Sequence, residues 1–355
     1  MDPIPNGTMD RNIFKRSMHS VSDENANAVK KPALVNPLQE IGNSSSYQTV
    51  KPSVESVSGA AMQEKAPTMQ QLVDEHDKDN QTNFSPYAQR IVNNWLKQED
   101  RFRCRPDYLD GQNDVKSYMR ETLIDWLVDV NSRLHHHRET LYLCVNIIDR
   151  YVYYTIRDKT DCVSRSDYQL VGITAYLIAA KYEEIYYPEI HSLLAFADNA
   201  YTDEDVKKME LKIVNSLKYD LTVPTTNKFL GRFLRVEMLS SNKNVHFMCF
   251  MICDRMLQSI AMLQWRPSIQ AATSIYLARK YLGYDDSWNK SLEEFTGVKK
   301  HELMPCALAI HAIIMKPNKL QAVARKYRSS RFNHIFNSVP IKSNQPSSTN
   351  SIVCL

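Results

Sequence analysis

This 355-residue sequence predicts an all-α fold in two similar halves, behind a disordered lead. Three observations carry the prediction. From about residue 84 onward, apolar residues recur at helical spacing and strand-like alternation is scarce. Two blocks of the first half return in the second, in the same order: ITAYLIAAKY (173–182) lies over ATSIYLARKY (272–281), and IIDR (147–150) over ICDR (252–255). The two offsets, 99 and 105, differ by a length that falls within IRDKTDCVSRSD, a polar stretch between helical patterns where an insertion is tolerated. Finally, residues 1–83 are rich in Ser, Asn, Gln and Pro, and Phe14 and Tyr47 are the only aromatics among the first 80. Such a segment buries too little apolar surface to offset its chain entropy, so it reads as a disordered tail.

Order begins at SPYAQRIVNNWLKQEDRF, where Tyr87, Ile91 and Leu96 suggest an amphipathic helix, so 84–116 reads as an N-terminal helix and lead-in. A first half over 117–223 opens with MRETLIDWLVDV (119–130). Thr140 to Tyr154 is its second helical pattern and Ser166 to Glu184 its third; Pro188 opens a short fourth, as proline does at a first turn. Thr202 can cap the fifth, with Asp203, Glu204 and Asp205 at the positive end of its dipole; it runs through Val206, Met209, Ile213, Val214 and Leu217. After the linker DLTVPTT (220–226), a second half over 224–335 has helical patterns at Phe229-Leu230, Val245 to Ile260, Pro267 to Leu282 and about His301 to Met315. Pro305 is placed early in the last of these, where a missing N–H matters least. Residues 336–355 read as a loose tail.

The third pattern raises a question. From 170 to 180 its side chains are apolar or small on every side, as in a helix buried at the centre of a bundle, yet Lys181 follows at once in LIAAKYEEI. A lone buried ammonium costs several kcal/mol or loses its proton. Lys181 therefore either reaches solvent or meets a partner.

Composition and motifs exclude several chemistries. The eight glycines are too scattered for a phosphate-cradling loop, and neither HExxH nor GxSxG occurs. The run His135-His136-His137 can chelate metal, but successive residues on a turn point apart, so a solvated helix end is the plainer reading. Glu183 and Glu184 diverge by ~100° on a helix, which suits capping or surface roles rather than paired acid–base work. The seven cysteines form no CxxC; Cys249 and Cys253 share a helical face as packing thiols, and the pattern fits a reducing compartment. Cys354 is next to last, so no prenylation is expected there. No signal peptide and no run of 18 apolar residues is visible, so no membrane span is expected. A net charge of +4 argues neither for nor against nucleic acid, and the basic run from Lys316 to Arg331 reads as a solvated face.

The sequence resembles the cyclin family. MRETLIDWLVDV is similar to the opening motif MRxILxDWLVEV, and ETLYLCVNIIDRYV, YQLVGITAYLIAAKYEEIYYPEI and DNAYTDEDVKKMELKIVNSLKYDL follow in the family's order. IIDR, DNAYT and KYEEI-x-x-PEI are closest to mitotic B-type members; LTVPTT and RKYRSS are similar to segments of plant B-type cyclins. The resemblance implies two consecutive five-helix cyclin-box domains, no catalysis and no cofactor. It implies a regulatory subunit that binds and activates a cyclin-dependent serine/threonine kinase at G2/M, in nucleus and cytoplasm. In the family, a lysine and a glutamate meet backbone groups near the kinase's regulatory helix. Lys181 and Glu210 match them, with Ile178, Tyr182 and Val214 beside them. A structural Lys181–Glu210 ion pair is compatible with that role.

The resemblance also implies a docking groove for substrates or inhibitors carrying an Arg-x-Leu element. Met119, Leu123 and Trp126 stand at i, i+4 and i+7 on one face, and Gln169 matches the groove's polar member. An apolar stripe is ordinarily core. Against that, Ile124, Leu127 and Val128 widen the apolar character beyond what one core face needs. Thr122, Tyr168 and Asp129 depart from the family's Ile, Leu and Glu. In the tail, Leu38, Ile41 and Asn43 resemble the end of a destruction box, RxxLxxIxN, with Val35 at the arginine position; Asp23-Glu24-Asn25 resembles a KEN element without its lysine. Both suit a ubiquitin ligase of mitotic exit. Two other classes stay open: a cyclin-fold transcription factor or adaptor, which favours a zinc ribbon and a strongly basic face, and a helical enzyme, for which no clustered nucleophile, base or metal set is seen.

Overall fold

The computed structural model describes residues 67–80, 83, 85–110, 114–158, 162–238, 242–316 and 319–340. Helices α1 (Met69–Asp77) and α2 (Ser85–Gln98) lead into the first half. That half is built of α3 (Ser117–Leu134), α4 (Arg138–Arg157), α5 (Tyr168–Glu183), α6 (Ile190–Ala195) and α7 (Asp203–Ser216). The second comprises α8 (Thr226–Phe233) with the short α9 (Arg235–Met238), α10 (Lys243–Gln258), α11 (Pro267–Tyr281), α12 (Lys290–Thr296) and α13 (Lys300–Met315). Then α14 (Ala322–Tyr327) returns to pack on α3. No strand occurs among the described residues.

In each half the apolar repeat block is the central helix. Residues 170–180 of α5 are all buried, and so are 270–278 of α11. Close approach is built in at Gly172, where a Cβ would sit 2.8 Å from Leu123 Cδ1, so α3 lies directly on α5. Thr202 caps α7 reciprocally: its hydroxyl accepts from Asp205 N at 3.2 Å, and Asp205 Oδ2 accepts from Thr202 N at 2.9 Å. His135, in the left-handed region at φ 56°, ends α3, and His137 is the N-cap residue of α4. The three histidines thus form the turn between two helices, and His136 Nδ1 lies 3.0 Å from the Tyr176 hydroxyl.

The structure departs from expectation in five places. Helix α1 falls inside the stretch read as tail: Thr68 caps it, Val73 is buried, and its buried Asp77 accepts from Arg235 Nε at 2.9 Å. A single apolar anchor and an ion pair to a residue 158 positions away leave no trace in local composition. Helix α2 forms, but Ala88 and Val92 are its buried residues, with Trp95 set edge-on to Phe229 at 5.7 Å. Tyr87 and Leu96 face outward, because the large indole fixes the packed face. Pro188 lies two residues ahead of α6, whose N-cap is Glu189. Pro305 is the sixth residue of α13, beyond the first turn. The second half also continues past 335, since Val339 is buried as Ile335 is.

The halves are joined by buried polar contacts. Arg120 of α3 donates to both carboxylate oxygens of Asp149, at 2.7 and 2.8 Å, and to the Gln258 carbonyl at 3.2 Å. Asp254 of α10 accepts from Tyr142 and Arg138 of the first half, at 2.9 and 3.0 Å, and from Lys326 and Tyr327, at 2.9 and 2.7 Å. Burial alone pushes the Asp254 carboxyl up. The Arg138 and Lys326 charges and the hydrogen bonds from Lys326 and Tyr327 outweigh it, holding the group below the ordinary carboxylate value.

A carboxyl depressed on folding stabilises fully above its unfolded value, ~3.9, and that contribution is lost as pH falls through the lower folded value. Asp254→Asn keeps the shape and removes the charge. Urea unfolding at pH 7 should show it about 3–5 kcal/mol less stable than the parent. At pH ~3 the gap should narrow as the parent's own carboxylate takes up its proton. An undiminished gap would show that shape, not charge, holds this junction.

Candidate functional site

Lys181 lies in the last turn of α5, where an ammonium complements the helix dipole. Its Nζ is 2.6 Å from Glu210 Oε1 on α7; the two side chains are 38% and 24% exposed. The buried helix therefore delivers its lysine to the surface, already paired. Below it Ile178 is buried, Val214 is half-buried, and Tyr182 is 45% exposed with its hydroxyl 2.6 Å from Thr222 Oγ1. Sequence reasoning did not single out the apolar neighbours: Ile185, Tyr186 and Tyr187 beyond α5, Leu211 on α7 and Tyr219 after it are all exposed. The signal was available in EEIYY, an apolar run following two acids where the helix ends.

The two acids hold this region in place. Glu184 Oε1 accepts from His137 N at 2.7 Å and from the Thr140 hydroxyl, capping α4 from the end of α5. Glu183 turns the other way, to Lys228 of α8 at 3.4 Å. Lys228 also lies 3.5 Å from Glu139, which accepts from Thr225 and Asn227 at the linker. Burial pushes the Glu139 carboxyl up, against the pull of Lys228.

The expected docking triad is corrected. Met119 and Leu123 are each 2% exposed and Trp126 is 7%, so the stripe belongs to the first half's core. Leu123 packs on Gly172, and Tyr168 at the same edge is buried. The wide apolar circumference of α3 has a structural cause: the helix is covered by α4 and α5 of its own half and also by α10 and α14 of the other. Gln169 stays half-buried, its Oε1 3.5 Å from the Tyr201 hydroxyl. Leu38, Ile41 and Asn43 lie outside the described residues.

No group of three or more metal-ligating side chains occurs among the described residues, and no helix there is long and apolar enough to cross a membrane. Five of the six described cysteines are buried and none is bonded; burial pushes the Cys253 and Cys306 thiols up to about 12.

Residues 90–222 match the family Cyclin, N-terminal domain, and residues 224–341 match Cyclin, C-terminal domain. The chain belongs to the cyclin family. It is 37% identical over 262 residues to Cyclin-B2-2 of Oryza sativa subsp. indica, covering 73% of this chain and 61% of that protein. To G2/mitotic-specific cyclin-1 of Antirrhinum majus it is 37% identical over 274 residues, 76% of this chain and 56% of the relative. G2/mitotic-specific cyclin-B of Patella vulgata is 35% identical over 274 residues, with 77% and 65% covered. This cyclin thus spans less than two thirds of the length of these relatives. A viral cyclin from herpesvirus saimiri superposes with a TM-score of 0.53 at 15% identity, covering 63% of this chain and 96% of that one, a likeness of fold alone.

Because the triad is core, Met119→Ala with Trp126→Ala should act on stability. Truncating a buried large side chain typically costs about 2–5 kcal/mol. Thermal melting should register a large downward shift for each single variant. An unchanged melt for both would return them to the surface.

Proposed function

We propose that this cyclin is a non-catalytic regulatory subunit that binds and activates a cyclin-dependent serine/threonine kinase in mitotic control. The observation carrying the reading is the partly exposed Lys181–Glu210 pair, with exposed apolar residues next to it in sequence: Tyr182, Ile185 and Tyr186 after Lys181, and Leu211 after Glu210. Several large apolar side chains left exposed near one charged pair suit an interaction site. A charged pair at its centre suits a partner that presents backbone rather than opposite charges: an ammonium donates to carbonyls and a carboxylate accepts from N–H groups, each more strongly than a neutral group. Its likeness to two G2/mitotic-specific cyclins supports the timing. The reading extends to action in nucleus and cytoplasm, and to removal by a ubiquitin ligase through the segment of Leu38, Ile41 and Asn43. Substrate choice through Arg-x-Leu elements would have to use the Gln169 edge, since the Met119–Trp126 stripe is packed.

Lys181→Met and Glu210→Ala should each weaken kinase binding about tenfold or more, as expected for roughly 1.5–3 kcal/mol per hydrogen bond to a charged group, with helical content intact. The deciding protein is the charge-swapped double variant, Lys181→Glu with Glu210→Lys. A purely internal pair tolerates the swap; a pair that meets fixed carbonyls and N–H groups does not. Normal kinase activation by the swapped protein would remove these two residues from the contact.

A further inference from the structure

The repeat leaves one lysine without its acid. Lys181 closes α5 and is answered by Glu210. Its counterpart Lys280 closes α11 and is half-buried. Laying the buried Val206, Met209 and Ile213 of α7 over the buried Leu303, Cys306 and Ile310 of α13 puts Glu210 on Ala307, a buried methyl. Among the described residues no carboxylate pairs with Lys280.

Lys280 lines an open cavity of about 720 Å³, together with Tyr276, Glu293, Lys299, Lys300, His301 and Met304. Three lysines and a histidine thus share the lining with a single carboxylate, and that carboxylate also holds backbone: Glu293 Oε1 accepts from Lys300 N at 2.9 Å. The neighbouring acid is occupied too, with Glu302 Oε2 accepting from Lys299 N at 2.7 Å. Both acids hold backbone N–H groups at the start of α13, and among the described residues neither pairs with the ammonium of Lys280, Lys299 or Lys300. One turn beyond Met304 on the same face, Leu308 is 50% exposed, so an apolar strip continues from the basic cavity.

We propose that this face of the second half docks an acidic segment of a partner protein. Adjacent carboxylates go to Lys280, Lys299 and Lys300, and an apolar side chain a few residues on lies over Met304 and Leu308. The partner supplies in trans the carboxylate that Glu210 supplies within the first half. Charge complementarity selects the occupant, since a basic or purely apolar segment leaves the three ammonium groups unanswered. The site is distinct from the Lys181 face and does not depend on kinase activation.

The test is fluorescence anisotropy with the full chain and a fluorescein-labelled peptide carrying three consecutive glutamates followed, three residues on, by leucine. Saturable binding that weakens as salt rises is expected. Lys280→Glu, and separately Lys299→Glu with Lys300→Glu, should each lower affinity tenfold or more, while Met304→Ser should reduce the advantage of leucine over serine in the peptide. Lys97→Glu makes the same charge change on exposed α2 and should leave affinity unchanged. All of these residues but Met304 and Lys280 are exposed, and circular dichroism checks that every variant is folded. Three results overturn the proposal: no saturation; equal weakening by Lys97→Glu, which means general attraction to a basic chain; or binding of a phosphoserine peptide but not the glutamate peptide, which assigns the cavity to phosphate.

Discussion

The buried aspartate of the repeated I-x-D-R element is the constraint on which the rest of this cyclin depends. Asp149 and Asp254 are equivalent by the repeat, both are buried, and each is neutralised by an arginine from the first half: Arg120 and Arg138. A buried pair of this kind is weak evidence for net stability, because desolvation offsets most of the attraction. Its value is geometric. Arg120 spends its remaining donors on the Leu257 and Gln258 carbonyls at the end of α10, so the charge pair of one half is also a bolt to the other. Asp254 gathers Arg138, Tyr142, Lys326 and Tyr327, four side chains from two helices, α4 and α14, and both halves. An apolar contact tolerates sliding; a buried carboxylate with named donors does not, since any shift leaves a charge unpaired.

That bolt sets the apolar surface around Lys181. Helix α4 carries both Asp149 and Arg138, so it is held from both ends of the network. From α4 the fixing passes to α5 through Glu184, which caps the start of α4, and to the second half through Glu183 and Lys228. Lys181 stands three residues before Glu184, so its position follows from carboxylates that hold other parts of the same chain. Helix α1 extends the same method outward, with Asp77 on Arg235 and Asp74 on Arg232.

Much of this was legible in the sequence because it is local or periodic. The repeat blocks marked α5 and α11, the Thr202 cap marked α7, and the divergence of Glu183 and Glu184 marked them as structural. What stayed hidden was carried by contacts between distant residues. Asp77 reads as one more acid in a polar tail until Arg235 is beside it. The same limit produced the error at α3. Its apolar width was correctly noticed, but width alone does not say whether the second covering is a substrate or the other half of the chain. The answer lay in α14, a short segment beyond 320 whose packing on α3 no local pattern reveals. For α2 the opposite holds: two adjacent apolar stripes were both readable, and the larger ring, Trp95, decided between them.

The lysine after an apolar helix was the most informative anomaly, and its two occurrences show what an internal repeat preserves and what it releases. The packing requirement is the same in both halves: small and apolar residues through the central helix, then a long cation once the helix emerges, where its stem covers apolar surface and its charge meets the dipole. Nothing in that requirement specifies an acid on the neighbouring helix. In the first half Glu210 supplies one, fixing Lys181 in a single geometry and leaving each group spare hydrogen-bonding capacity to offer outward. In the second half the equivalent place is a buried methyl, and the nearby carboxylates are bound to backbone at the start of α13. The same fold position therefore yields a pre-organised pair on one side and, on the other, a lysine without an ion-pair partner among the described residues. A pre-organised pair favours a partner of fixed backbone geometry, while a cluster of flexible lysines accepts any segment that brings negative charge.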